Sequence, residues 1–248
     1  MNKTVNDLQN HFCQLRLSET AVELPQLLRK AEKESWTYLE FLEAITSFEL
    51  GKRESKSIER RIKWARFPYI KTLQEFQVEE QTALTSRQLT QLQEFSWLEQ
   101  QYNLILLGPP GVGKTFLAIG LGLEAIHKGF QVYFVTMGEL IQLLKTQEFA
   151  HKSQVQMKRL QTSDLVIIDD LMYMAMDQRE ANLFFQLINH LYERSSIILT
   201  SNKSPEQWTE LMGDQGIMTA ILDRLLHRVE VIHMNSDSYR MKNRQHIF

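Results

Sequence analysis

Cysteine is nearly absent from this chain: Cys13 is the only one in 248 residues, so no internal disulfide can form. No apolar run approaches the roughly 20 residues that cross a bilayer. The best candidate, Phe116 to Ile126, is interrupted by Glu124 and two glycines. The N-terminal stretch MNKTVNDLQNHF lacks the apolar core of a secretory signal, and a cytoplasmic protein with no membrane partner is expected. Strong charge of one sign is missing too. With 28 Lys and Arg against 30 Asp and Glu, the net charge of -2 gives no global attraction to nucleic acid, so any such contact depends on local clustering. Glycine is withheld from the first hundred residues, where Gly51 is the only one before Gly108, and that half is expected to be helical.

What is present suffices for one sizeable core and a smaller appended unit, since 43% of the residues are hydrophobic and 23% charged. Thr20-Ala-Val-Glu23 and Thr37-Tyr-Leu-Glu40 both have capping-box form and predict helix starts. The second leads into Tyr38, Leu42, Ile45 and Phe48, an apolar stripe at helical spacing, and Trp36, Phe41 and Phe48 are read as core residues. Pro68 marks a break, and another helix is predicted from about Ser86. From Tyr102 the pattern changes to five short apolar runs, YNLILL, QVYFVT, LVIID, SIILTS and VEVIH, separated by helical stretches. That alternation predicts crossover connections and a mostly parallel five-stranded sheet. The expected organisation is a small all-α domain over 1–67, a linker with a helix over 68–101, and an α/β domain over 102–248.

Gly108-Pro109-Pro110-Gly111-Val112-Gly113-Lys114-Thr115 follows the first predicted strand and opens an amphipathic helix, matching the P-loop spacing in full. Glycines let the backbone turn and aim successive amides inward, Lys114 reaches the outer phosphates, and Thr115 offers its hydroxyl to magnesium. About fifty residues on, Leu165 to Asp170 reads as a strand ending in two carboxylates. Alone that is an ordinary turn start; beside a P-loop, Asp169 holds the magnesium through water and Asp170 polarises an attacking water. Ser196 to Asn202 is another strand, and the Asn202 amide can hydrogen-bond both water and terminal phosphate, with a plain turn asparagine as the competing reading. Near the end, ILDRLLHR sets Arg224 and Arg228 one helical turn apart among leucines. Arginine is permanently charged and its fork suits phosphate oxygens.

GPPGVGKT, LVIIDD, LTSN and ILDRLLHR, in this order and spacing, resemble the AAA+ ATPases of the DnaC helicase-loader branch. More closely the chain resembles the IstB family of transposition helper ATPases, encoded beside a transposase in bacterial insertion sequences. SWTYLEFL at Ser35–Leu42 and RRIKWARFP at Arg60–Pro68 extend the likeness across the N-terminal half, and GDQGIMTAILDRLLHR and Ser238-Tyr239-Arg240 add specificity. The resemblance implies ATP, magnesium, assembly into homo-oligomers, and a complex on double-stranded DNA that recruits or activates the cognate transposase. It implies Lys114 and Thr115 as P-loop contacts, Asp169 as the magnesium acid, Asp170 in the catalytic glutamate position, Asn202 as sensor, Arg224 as arginine finger and Arg228 as the reserve. Three departures stand out. Asp170 is one methylene shorter than the usual glutamate, Leu171-Met172-Tyr173-Met174-Ala175 replaces LGYLP, and the residues after Arg228 are too few for a helical lid.

Lys52, Lys56, Arg60 and Lys63, with Arg53 beside them, form a basic stripe at helical spacing opposite Ile58, Ile62 and Ala65. It is read either as a salt-dependent, sequence-tolerant DNA contact or as a solvated face softened by Glu54 and Glu59. Between the second and third strands, Met137 to Thr162 is long enough for two helices and carries Lys145, Lys152, Lys158 and Arg159. In the clade resembled, an extra helix here meets DNA; the competing reading is a charged surface helix. Four functions compete: a transposition helper, a replicative helicase loader, a small-molecule kinase, and a nucleotide-dependent binding module with little turnover.

Overall fold

All five apolar runs form strands, and all pair in parallel: β1 (Asn103–Leu107), β2 (Val132–Thr136), β3 (Leu165–Asp169), β4 (Ser196–Ser201) and β5 (Val229–His233), in the order β2-β3-β4-β1-β5. Every residue of β1, β3 and β4 is buried. A sheet covered on both faces needs apolar side chains at successive positions, so these strands read as continuous runs rather than alternating ones. The computed structural model describes residues 4–76, 84–171, 176–208 and 215–235.

The chain divides into two compact units, Met1–Arg60 and Arg61–Phe248. In the first, α1 (Val5–Gln14) is capped by Thr4, α2 runs Ser18–Glu34, and α3 (Tyr38–Ala65) starts at the Thr37–Glu40 box as its sequence predicts. Thr20 does not cap a helix. It lies inside α2, where its buried hydroxyl donates to Glu49 Oε2 at 2.7 Å. The Glu49 carboxylate also accepts from Arg53 Nε at 2.8 Å. Burial pushes this carboxyl upward, but the Thr20 hydroxyl, Arg53 and the Thr20 amide together outweigh it and hold Glu49 below the ordinary glutamate range. The stripe read as core is corrected as well: only Ile45 is buried, Trp36, Phe41 and Phe48 are half-buried, and Tyr38 and Leu42 are exposed. Helical spacing says which residues share a face, but among the described residues most of this face is left partly or wholly exposed.

The boundary falls at Arg60/Arg61, inside α3, rather than at Phe67, and the stretch expected to be a linker is part of the α/β unit. The reason is packing. Phe67 meets Phe134 edge-on at 6.3 Å, Arg66 donates to the Tyr133 hydroxyl at 3.2 Å, and the Trp64 ring lies 4.8 Å under the Arg159 guanidinium. A 3-10 turn, Leu73–Glu75, and α4 (Ser86–Glu94), which starts where expected, and the short α5 (Ser96–Glu99) lead into β1.

α6 (Lys114–His127) covers one face of the sheet, contacting β2, β3 and β4. On the other, α7 (Met137–Thr146), α8 (His151–Gln161), α9 (Gln178–Leu191), α10 (Pro205–Trp208) and α11 (Gln215–Leu226) bury Leu140, Leu160, Phe184, Trp208 and Ile221 in one cluster with β1, β3 and β4. The two helices expected between β2 and β3 are α7 and α8. No described helix is long and apolar enough to cross a membrane. Met172–Ala175, Gly213-Asp214 and Ser238-Tyr239-Arg240 lie outside the described residues, as does everything beyond Asn235 where a lid was discounted.

Candidate functional site

Strand order builds the site. Because β4 sits between β1 and β3, the residues ending it lie between the P-loop that follows β1 and the acids that end β3. The P-loop depends on glycine where the chain is most constrained: a Cβ on Gly108 would sit 2.2 Å from the Met234 carbonyl oxygen. Gly113, at φ 96, turns the backbone into the first residue of α6. Lys114 is buried, and its ammonium donates to the carbonyls of Gly108 at 2.7 Å and Pro109 at 2.9 Å, which hold it within the loop it serves.

Asp169, 6% exposed, accepts at Oδ1 from the Thr115 hydroxyl at 2.8 Å and the Thr200 hydroxyl at 2.7 Å. Its carboxyl is pushed upward, mainly by burial and further by the Asp170 charge, while Thr200, Thr115 and Lys114 pull the other way. Asp170 is exposed and left-handed at φ 56, its N–H donating to the Thr200 hydroxyl at 2.9 Å. Lys114, Thr115, Asp169, Asp170 and Asn202 line one cleft of about 570 Å³, with Pro110, Gly111, Val112 and Gly113. Its far wall is Pro68, Tyr69, Glu75, Phe76, Phe116 and Phe134, residues that carried no signal as site residues in the sequence. A cleft of this size suits a nucleotide-sized ligand.

Two hard oxygen donors, the Thr115 hydroxyl and the Asp169 carboxylate, converge at a single point beside the P-loop, which fits magnesium. No group of three His, Cys, Asp or Glu that would bind a metal by itself occurs among the described residues, so water and phosphate oxygens would complete the shell.

The two arginines are elsewhere. They line a cavity of about 20 Å³ with Asn103, Ser195 and Ile197, at the N-terminal ends of β1 and β4, whereas the cleft lies at the C-terminal ends. A five-residue strand spans roughly 17 Å, so these side chains flank the opposite edge of the sheet. Arg224 donates to Asn189 Oδ1 and the Ala220 carbonyl, both at 2.9 Å, and stacks 4.9 Å over Phe185. Arg228 is not on the same helix. α11 ends at Leu226, and Arg228 stands in the turn before β5, donating to the Gln100 carbonyl at 3.3 Å.

Among the basic residues, Lys52, Arg53, Lys56 and Arg60 are exposed in the first unit and Lys63 in the second. Arg53 is paired with Glu49, and Lys56 with Glu19 at 2.6 Å. Lys145 is paired with Glu180 at 3.0 Å, while Lys152 and Lys158 are exposed on α8.

Comparison with known proteins agrees with this architecture. The chain is 37% identical over 241 residues to a Pseudomonas aeruginosa protein named as an ATP-binding protein of insertion sequence IS21, covering 97% of this chain and 91% of that one. It is 34% identical to the corresponding IS5376 protein of Geobacillus stearothermophilus, covering 95% and 94%. Among solved structures, DnaI superposes with a TM-score of 0.57 at 17% identity, covering 72% of this chain and 93% of that one. AMPPCP-bound DnaA from Aquifex aeolicus gives 0.52 at 22% identity, covering 69% and 52%. These last two show a shared fold. The IstB-like ATP binding protein family of IS21 matches residues 10–247, and the chain belongs to that family.

Proposed function

We propose that the chain is a magnesium-dependent ATPase that assembles as a homo-oligomer on double-stranded DNA in the cytoplasm and recruits or activates its cognate transposase. The observation that carries the ATPase reading is the convergence of Lys114, Thr115, Asp169, Asp170 and Asn202 on one cleft. Thr115 and Asp169 would hold magnesium, which when bound would neutralise charge on the outer phosphates. The P-loop amides and Lys114 bind the β- and γ-phosphates and stabilise charge as the terminal phosphoryl group leaves. Asn202 orients the attacking water through its amide, and Asp170 accepts the proton that water loses.

What the cleft lacks from its own described residues is a mobile arginine for the terminal phosphate, and Arg224 and Arg228 lie at the far edge of the sheet. A head-to-tail neighbour brings that edge to the next cleft, which supports Arg224 acting in trans with Arg228 as the alternative. The anchoring of Arg224 by Asn189 and Phe185 gives it a preset direction. DNA contact is assigned to Lys52, Arg53, Lys56, Arg60 and Lys63, and to Lys145, Lys152 and Lys158; the exposed members outside an ion pair, Lys63, Lys152 and Lys158 among them, are the strongest.

Phosphate release measured with and without duplex DNA tests this. Magnesium-dependent release stimulated several-fold by DNA is expected; stimulation only by a small phosphate acceptor would contradict it. A second reading, nucleotide-dependent binding with little turnover, is favoured by one feature, the short acid at Asp170. It predicts tight ATP binding and DNA-independent, near-zero release.

A further inference from the structure

Thr200 is fully buried on the central strand, and its hydroxyl does two things at once. It donates to Asp169 Oδ1 at 2.7 Å and accepts from the Asp170 N–H at 2.9 Å. The backbone closes the same clamp: the Leu171 N–H donates to the Thr200 carbonyl at 2.8 Å, and Ser201 Oγ donates to the Leu171 carbonyl at 3.2 Å. Asp170 at φ 56 is left-handed, a conformation costly for a residue with a side chain and one that persists where its surroundings over-determine it. Here the over-determining groups come from β4.

We propose that Thr200 is the positioning residue of the acid pair, setting the Asp169 carboxylate for the metal and the Asp170 side chain for the attacking water. The proposal rests on the ATP-hydrolysing reading of the cleft. Asp169 Oδ1 is shared by two hydroxyls, one from the P-loop helix and one from β4. Once Thr115 turns to a magnesium nucleotide, Thr200 is the hydroxyl that keeps the carboxylate from rotating. The same oxygen anchors the Asp170 amide, so one side chain sets both acids. Asn202 follows two residues on, just past the end of β4. Thr200 itself has no exposed surface and does not line the cleft.

The test compares Thr200→Val, which keeps the shape and removes the hydroxyl, with Thr200→Ser, which keeps the hydroxyl. In the valine variant kcat falls by about tenfold or more, as for other residues that orient metal ligands. Its affinity for a nonhydrolysable ATP analogue without magnesium stays within about twofold of wild type, while the gain in affinity on adding magnesium shrinks by about tenfold. Serine restores both. Thr200→Ala is measured in parallel with the same expectation, so that misfolding of the valine variant does not end the test. A valine variant matching wild type in kcat and in magnesium-dependent affinity gain would overturn the proposal. So would serine as impaired as valine, or a loss of metal-free nucleotide affinity equal to the loss with magnesium, which marks a merely structural residue. If the wild-type protein binds ATP without hydrolysing it, the ATPase reading fails, and the magnesium-dependent affinity gain still decides the role of Thr200.

Discussion

Each unit buries one carboxylate among its described residues, Glu49 in the first and Asp169 in the second, and the two are displaced in opposite directions. Both side chains are nearly closed to solvent, but Asp169 lies deep in the α/β core and Glu49 in a thin helical layer, so desolvation weighs more on Asp169. Their partners differ too. Glu49 accepts from Thr20 and from a cation, Arg53, which more than repay desolvation. Asp169 accepts from two neutral hydroxyls and faces a second carboxylate, and the charge of Lys114, which is not hydrogen-bonded to it, offsets only part of this. On the proposed reading, the imbalance at Asp169 leaves room for an external cation, whereas Glu49 has its cation from its own chain.

The units differ in their apolar cores as well. In the first, the buried apolar residues described are Ala21, Leu24 and Ile45, whereas Val22, Leu39 and Leu50 are about two-thirds exposed or more. In the second, whole strands and the helices on them are buried. Polar pairing therefore carries a larger share of cohesion in the first unit.

Removing an apolar side chain from the sheet gives the largest expected change. Ile198→Ala, at a position with no exposure, lowers unfolding free energy by about 3 kcal/mol in denaturant melts. Leu39→Ala, at a position 75% exposed, changes it by about 0.5 kcal/mol or less; comparable losses from the two would erase the contrast. Between these extremes lie the two acids. Glu49→Gln costs about 2 kcal/mol near neutral pH by weakening charge-assisted hydrogen bonds. Since the folded value of Glu49 is depressed, its contribution is present above the ordinary glutamate range and disappears as the pH falls through the folded value. Asp169→Asn gives a smaller change of the opposite sign in the nucleotide-free protein. Its raised value makes the ionised form a burden above that value, relieved as pH falls through it, so the asparagine variant melts higher near neutral pH and converges with wild type in acid. Melting curves of both variants across pH with the same sign would break the comparison.

The sheet was legible because strands buried on both faces must be apolar throughout, and the P-loop because glycine and lysine at fixed spacing have a backbone reason to be there. Other features left no readable mark. Thr200 looks like any β-branched strand residue until the parallel register sets it beside Asp169. The left-handed turn at Asp170 carries no glycine to announce it. The end of α11 has neither glycine nor proline, so Arg228 was read one turn further along the helix than it runs. Thr20 has a capping-box neighbour three residues on, yet its hydroxyl is taken by Glu49 twenty-nine residues away. In each case a contact distant in sequence overrode a local signal.

If each cleft hydrolyses ATP with an arginine from the next subunit, mixing two inactive variants reveals it most directly. Lys114→Ala removes the phosphate contact but keeps Arg224; Arg224→Ala keeps the cleft but lacks the finger. Each alone should be inactive. Mixed equally, an Arg224→Ala cleft receives its arginine from a Lys114→Ala neighbour at about a quarter of the interfaces, and DNA-stimulated phosphate release recovers to about a quarter of wild type. A mixture as inactive as its components, in assemblies of normal size, would contradict the account.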